Sequence, residues 1–279
     1  MLINFFIVGA PKAGTTSLHY YLDQHPDICM SSIKEPNYFS ASDISDLYYG
    51  TQPVDVYDEY LALFSGENKV LGEASVSYLY YEGVAARIAA YNPEAKILIV
   101  LRNPTDRAFS HFSMDSRLGF CNVELAEIFD RPEEHPLYYR QFISLGNYSN
   151  QVRRYLDVFD AKNIKICLYE DLKTKPEFFV DELFSFLNLT SIEVDFTNKN
   201  KALVPKNKVL STLYQQPKFR SLVTSVLPEN ILDRVKKGVF TRGSELRTVD
   251  EEMYNRLRSY YAKEIDSLRS LTGLEFLSW

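Results

Sequence analysis

Residues 9–17 read Gly-Ala-Pro-Lys-Ala-Gly-Thr-Thr-Ser and stand between an apolar run at residues 5–9 and a helical pattern that starts at Thr15. A strand that ends in such a loop and passes directly into a helix gathers backbone NH groups and a helix N-terminus around one point, the arrangement that binds phosphate. The rest of the chain repeats the strand-to-helix step. Short apolar runs at residues 28–31, 69–72, 97–101 and 164–168 alternate with helical patterns at 15–24, 54–64, 82–91, 104–118, 148–159 and 176–187. This alternation predicts an α/β fold, a central parallel sheet of about five strands flanked by helices. After Leu189 it stops. A Lys- and Asn-rich loop at residues 198–208 leads into shorter helices, and a helix is expected from 249 to about 271, with Thr248 and Glu251 as a capping box and Gly273 as a stop.

No internal repeat or linker divides the 279 residues, so a single domain over 1–279 is expected. The net charge of −6, from 31 Lys and Arg against 37 Asp and Glu, is the wrong balance for a general nucleic-acid binder. An anionic ligand must therefore be held by local groups. Cys29, Cys121 and Cys167 are too few and too scattered for a disulfide framework or a zinc site, and their usage fits a reducing cytosol. No apolar run approaches the roughly 20 residues of a membrane helix. The N-terminal residues read as the first strand, without a basic leader or stem, and the expected location is cytoplasmic.

Three constellations carry chemistry. In the first, Gly9, Gly14 and Thr16 keep the places of the nucleotide triphosphate loop GxxxxGK[ST], but the lysine position holds Thr15 and the lysine is Lys12. This is a phosphate loop altered at the residue that serves β- and γ-phosphates. A P-loop kinase would need that lysine and an acidic magnesium ligand. The second is Leu101-Arg102-Asn103-Pro104-Thr105-Asp106-Arg107-Ala108-Phe109-Ser110-His111. Arg102 stands at the carboxyl end of an apolar strand, where open α/β sheets place ligand groups. Its guanidinium can take a phosphate bidentately, with Ser110 two turns along the next helix, or it can serve as a surface ion-pair residue. Asn103, Pro104 and Asp106 mark the helix start as cap, first residue and first-turn acid. Arg107 reads as structural, paired with a carboxylate, and His111 as a packing histidine.

The third constellation is Lys34-Glu35-Pro36-Asn37-Tyr38-Phe39, after the second strand. Glu35, a carboxylate at the mouth of the sheet beside apolar and aromatic residues, is a candidate general base; its alternative is an ion pair with Lys34. Glu73 after the third strand reads as a substrate-side or supporting group, and Glu170 and Asp171 after the last as structural caps. Residues 119–136, charged and proline-bounded, read as a solvated connector or, alternatively, a substrate-side lid.

The ordered set PKAGTTSL, KEPNYF, GEASVSYLY, ILIVLRNPTDRAFSHF, LGNYSNQVRRYL, CLYEDL and FLSW resembles the sulfotransferases that use 3'-phosphoadenosine 5'-phosphosulfate. Among them it is most similar to the carbohydrate sulfotransferases related to the heparan sulfate enzymes and their bacterial relatives. The resemblance runs from the first strand to Trp279 and is thinnest at 119–145 and 191–247. It implies a P-loop-like nucleotide-binding fold, that donor as co-substrate and no metal. It also implies that Lys12, Ala13, Gly14, Thr15, Thr16 and Ser17 hold the 5'-phosphosulfate, Arg102 and Ser110 the 3'-phosphate, and that Glu35 is the base. Arg242, in a basic segment like the one that closes over the donor in relatives, is a further donor candidate, or else solvated charge. Asn37, Tyr38 and Glu73 are placed on the acceptor side. Asn37 and Ser40 stand where heparan-type enzymes often carry His and Asp, and Ala74-Ser75-Val76-Ser77 replaces their Lys-Thr-Pro-Ala. With the acidic net charge, these departures point away from a highly sulfated polysaccharide and toward a neutral carbohydrate, glycolipid or small hydroxylated acceptor. A module that binds nucleotide or carbohydrate without catalysis is the remaining alternative.

Overall fold

The computed structural model describes residues 2–44, 51–66, 68–197, 203–205, 240–242, 250–276 and 279. Five strands, β1 (Phe5–Gly9), β2 (Ile28–Met30), β3 (Val70–Ala74), β4 (Lys96–Leu101) and β5 (Ile164–Leu168), form one parallel sheet in the order β2-β3-β1-β4-β5. Every residue of β1 and β3 is buried, as is all of β4 after Lys96. That is why β1 and β4 read as unbroken apolar runs, with Glu73 of β3 the one buried carboxylate among these three strands: a parallel sheet is covered on both faces. Each fully buried Ile, Leu, Val or Phe contributes roughly 1.5–3 kcal/mol relative to exposure.

Among the described residues the α-helices are α1 (Thr15–Leu22), α2 (Tyr57–Leu61), α3 (Val84–Tyr91), α4 (Pro104–Leu118), α5 (Leu125–Asp130), α6 (Pro136–Phe142), α7 (Tyr148–Leu156), α8 (Tyr169–Thr174), α9 (Pro176–Phe186) and α10 (Glu251–Thr272). β1 and β4 are neighbours, yet the chain leaves β1 toward β2 on one side and leaves β4 toward β5 on the other. The loops after these two strands therefore diverge, and a crevice opens between them at the carboxyl edge, the place where α/β sheets bind ligands.

Several local expectations are corrected. Residues 54–64 yield a helix only at 57–61: Val56 is extended, at φ −94° and ψ 126°, and the Val54 amide donates to the Pro36 carbonyl at 2.8 Å, which fastens this stretch to the Glu35 loop. Residues 119–136 are not a structureless connector: they contain α5, whose Leu125 and Ile128 are buried in a second core with Ala108, Phe112, Phe142, Ile143, Met253, Leu257 and Tyr261. A helix of six residues offers too few turns for its 3.6-residue period to show among flanking charges. The last helix is capped by Asp250, whose side chain accepts from the Glu252 amide at 3.1 Å; Thr248 lies outside the described residues. Gly273 ends it in the left-handed conformation, as expected. Arg107 is fully buried and donates to the carbonyls of Gln141 and Phe142 rather than to a carboxylate. A short antiparallel pair, β6 (Leu203–Pro205) with β7 (Phe240–Arg242), was not foreseen. None of the described helices is long and apolar enough to cross a membrane.

Candidate active site

The loop after β1 is built by its backbone. The Ala10 amide donates to the Val100 carbonyl of β4 at 2.7 Å, which ties the loop to the crevice, and Ser17 and Leu18 donate to the Gly14 carbonyl at 3.0 and 3.1 Å to start α1. Gly14 has φ 79°. A Cβ there would stand 2.8 Å from a Leu172 methyl and 3.1 Å from the Tyr169 ring, so only glycine fits both the conformation and the space. α1 opens with no side-chain cap, which leaves its first-turn amides to a ligand.

Lys12, itself at φ 68°, turns its ammonium to α4, where it donates to the Met114 thioether at 3.0 Å. Met114 lies one turn beyond Ser110, so Lys12 and Ser110 share a helix face. A thioether is a weak acceptor. Burial pulls the Lys12 ammonium down to about 8; Asp115 opposes this, while Arg102, Arg117 and Arg107 add to it. Arg102, at the end of β4, donates to the Lys12 carbonyl at 3.0 Å and lies 4.9 Å from the Tyr169 ring centre. Its own carbonyl accepts from the Tyr148 hydroxyl at 3.1 Å, and Asn103 accepts at its side chain from the Thr105 and Asp106 amides. Glu170, in the first turn of α8, accepts from the Asn103 amide at 3.3 Å. The Lys12 loop and Arg102 are thus brought together at the crevice, and Ser110 lies on the face of α4 that the Lys12 ammonium reaches.

Glu35 is carried to the same edge from the neighbouring strand. Its amide donates to the Ala74 carbonyl at the end of β3 at 3.0 Å, and the Ser75 amide donates to Ile7 of β1 at 3.2 Å. The Glu35 side chain is 41% exposed and ion-paired with Lys34, the alternative set out for it, and it stands at the mouth of the sheet.

Two acceptor-side expectations are corrected by burial. Asn37 is 4% exposed, with its amide donating to the Ser75 hydroxyl, its side-chain NH2 to the Glu35 carbonyl at 2.7 Å, and its Oδ1 accepting from Ser77 at 2.7 Å. Glu73 is 0% exposed. Both side chains are turned inward, away from an acceptor, and Asn37 ties the Glu35 loop to Ser75 and Ser77. Tyr38 is half-buried, its ring stacked on Tyr60 at 4.4 Å. The backbone of Arg242 pairs with Leu203, and its side chain lies outside the described residues. Tyr148, Tyr169, Met114, Ser75 and Tyr78 were not singled out from the sequence. Ser75 and Tyr78 lie within the GEASVSYLY string, but nothing in their spacing says that they serve another loop. Among the described residues one trio of possible metal donors comes together, Glu127, Glu134 and His135, on the exposed turn between α5 and α6.

Residues 2–263 match the family model described as a sulfotransferase domain. The chain is 30% identical to a crystallised sulfotransferase from Alicyclobacillus acidocaldarius, with TM-score 0.72 over 100% of this chain and 99% of that one. It is 29% identical over 197 residues to the human bifunctional heparan sulfate N-deacetylase/N-sulfotransferase 2, covering 68% of this chain and 22% of that protein. It is 26% identical over 279 residues to mouse carbohydrate sulfotransferase 15, covering 79% and 49%. The chain thus spans between about a fifth and a half of the length of these curated relatives.

Proposed function

The chain belongs to the sulfotransferase domain family, and on that premise we propose that it moves a sulfuryl group from 3'-phosphoadenosine 5'-phosphosulfate to a hydroxyl, with an amine as the second reading, of a carbohydrate, glycolipid or other small acceptor. The observation that carries this reading is the convergence, at one edge of the sheet, of an uncapped helix N-terminus, the Lys12 and Arg102 cations and the Glu35 carboxylate. The residues fit such a donor. Gly14, packed against Leu172 and Tyr169, lets the loop turn directly into the uncapped start of α1, and Lys12, held by a weak acceptor, loses little when it turns to an anion. The bound donor supplies an electrophilic sulfur and a second, separate phosphate.

The α1 amides and the residues from Lys12 to Ser17 hold the 5'-phosphosulfate, while Arg102 and Ser110 take the 3'-phosphate. Lys12 stabilises the negative charge that develops on the departing phosphate oxygen. Glu35 takes the proton of the acceptor hydroxyl. Most of the acceleration then comes from positioning and charge stabilisation, as in phosphoryl transfer. The acid-rich, exposed stretch Asp58-Glu59 beside the Tyr38 and Tyr60 rings favours an acceptor of low negative charge. Three free cysteines accord with a reducing compartment.

Titration calorimetry without metal tests the donor: adenosine 3',5'-bisphosphate is expected to bind and ATP to bind less tightly, and preference for ATP overturns the assignment. For the chemistry, Glu35→Gln is expected to lose about 10²- to 10³-fold in turnover across an acceptor panel of neutral sugars, octyl glucoside and phenols. The same variant keeps its affinity for adenosine 3',5'-bisphosphate. Near-normal turnover in Glu35→Gln rejects the base.

A further inference from the structure

Glu73 is a fully buried carboxyl that the proposed chemistry does not use. It lies in β3 opposite Phe6 of β1, and neither of its oxygens has a hydrogen-bond partner in good geometry among the described residues. The groups that face it are three hydroxyls, those of Tyr78, Tyr60 and Ser75. An unpaired carboxyl costs several kcal/mol to bury, and one that stays buried is held there by something it does.

The hydroxyls have a second set of contacts. Ser75 accepts from the Asn37 amide at 3.0 Å, and Tyr78 accepts from the Phe39 amide at 3.1 Å. Tyr60 stacks on Tyr38 and packs edge-on against Phe39. A buried hydroxyl that accepts from an amide, as those of Ser75 and Tyr78 do, still has its own proton to place, and that proton needs an acceptor. The carboxyl facing these two is Glu73, and the buried Tyr60 hydroxyl, without a partner in good geometry among the described residues, faces it as well. Ser75, Tyr78 and Tyr60 come from two different parts of the chain, and all three grip residues 37–39.

That grip answers a need. Glu35 and Asn37 have φ 63° and 54°, on either side of Pro36. Left-handed conformations in residues other than glycine cost on the order of 1–2 kcal/mol each and persist where the surroundings enforce them. The Glu35 loop is therefore not self-supporting.

We propose that Glu73 is the positioning residue of the Glu35 loop: its buried carboxyl gathers the hydroxyls of Ser75, Tyr78 and Tyr60, and these fix the backbone that aims Glu35. The inference rests on the reading of Glu35 as base for its catalytic meaning, but its structural content stands apart from it. Burial pushes the Glu73 carboxyl up to about 7, while the Tyr78, Tyr60 and Ser75 hydroxyls draw it back, in keeping with a group shared among three donors.

Amide hydrogen exchange on the full chain tests this, with wild type, Glu73→Gln and Glu73→Leu compared at one pH. In Glu73→Leu, protection over residues 33–44 is expected to fall at least tenfold, while β1 and β4 keep theirs and the dissociation constant for adenosine 3',5'-bisphosphate stays within twofold. Glu73→Gln retains a carbonyl acceptor and is expected to stay within threefold of wild type over the same residues. Wild-type protection of 33–44 in Glu73→Leu overturns the proposal, and so does a uniform loss across β1 and β4, which marks a merely structural residue. Should Glu73→Leu not fold, Tyr78→Phe replaces it: the Phe39 amide is expected to exchange at least tenfold faster, and an unchanged rate there overturns the proposal. A Glu35→Gln variant with normal turnover removes the base assignment without touching the exchange result, so the two failures are distinguishable.

Discussion

Lys12 shows how one position serves two requirements. Its left-handed backbone turns the loop, and its carbonyl is held by Arg102, so the ammonium is delivered to the face of α4 that carries Ser110 and Met114. Because burial lowers its pKa to about 8, the cation that an anionic donor needs is present below pH 8 and is titrated away above it. Affinity for adenosine 3',5'-bisphosphate is therefore expected to be level from pH 6 to 7.5 and to fall above pH 8, approaching tenfold per pH unit; calorimetry from pH 6 to 10 measures this. Lys12→Arg is expected to remove the fall, since a guanidinium stays charged throughout. At this scale the residue types of the donor loop were readable in the sequence, because Gly, Lys and three hydroxyls at a strand-helix junction have few other uses. The roles of Asn37 and Glu73 were not. Asn37 stands two residues from the candidate base and Glu73 reads as either a substrate-side or a supporting group, because nothing in a residue's type tells whether its side chain points outward to a ligand or inward to a neighbouring loop.

The elements with sharp chemical boundaries were the ones foreseen. α4 begins at Pro104 and ends at Leu118, as its Asn103 cap and the left-handed Gly119 require. Removing the Asn103 side chain leaves two first-turn amides without their acceptor; Asn103→Ala is expected to destabilise the protein by about 1 kcal/mol in urea unfolding. The same change loosens the start of the helix that carries Ser110, so weaker binding of adenosine 3',5'-bisphosphate should accompany it. α5 is the opposite case. Its six residues lie among charges and prolines, and its two buried side chains are recognisable only once α6 and α10 are folded over them. α10 was foreseen in length and in its glycine stop, but its cap is Asp250, since several polar residues near a helix start can serve and the backbone chooses.

The whole molecule joins two cores, one on the faces of the sheet and one among α4, α5, α6 and α10. α4 links the crevice to the second core: it begins at the carboxyl end of β4, and its Ala108 and Phe112 are buried in the second core, where Tyr261 of α10 also reaches the Ile143 carbonyl at 2.7 Å. The segment 119–145, in which the motif resemblance is thin, is thus a support for the donor-side helix. Ile128→Ala is expected to cost about 2–5 kcal/mol of stability, read in urea unfolding, with the affinity of the folded fraction for adenosine 3',5'-bisphosphate retained. The sequence was sufficient for the α/β class, the five parallel strands, the strand-loop-helix step at residues 5–22 and the family, because these rest on local periodicity and on contiguous motifs. Folding settled the rest: the order β2-β3-β1-β4-β5 that opens the crevice between β1 and β4, the hold of Arg102 on the Lys12 loop, and the burial of Glu73 beneath Glu35. Those features join residues 38 to 90 positions apart in the chain, and side chains that distant find their partners only when the strands that carry them are laid side by side.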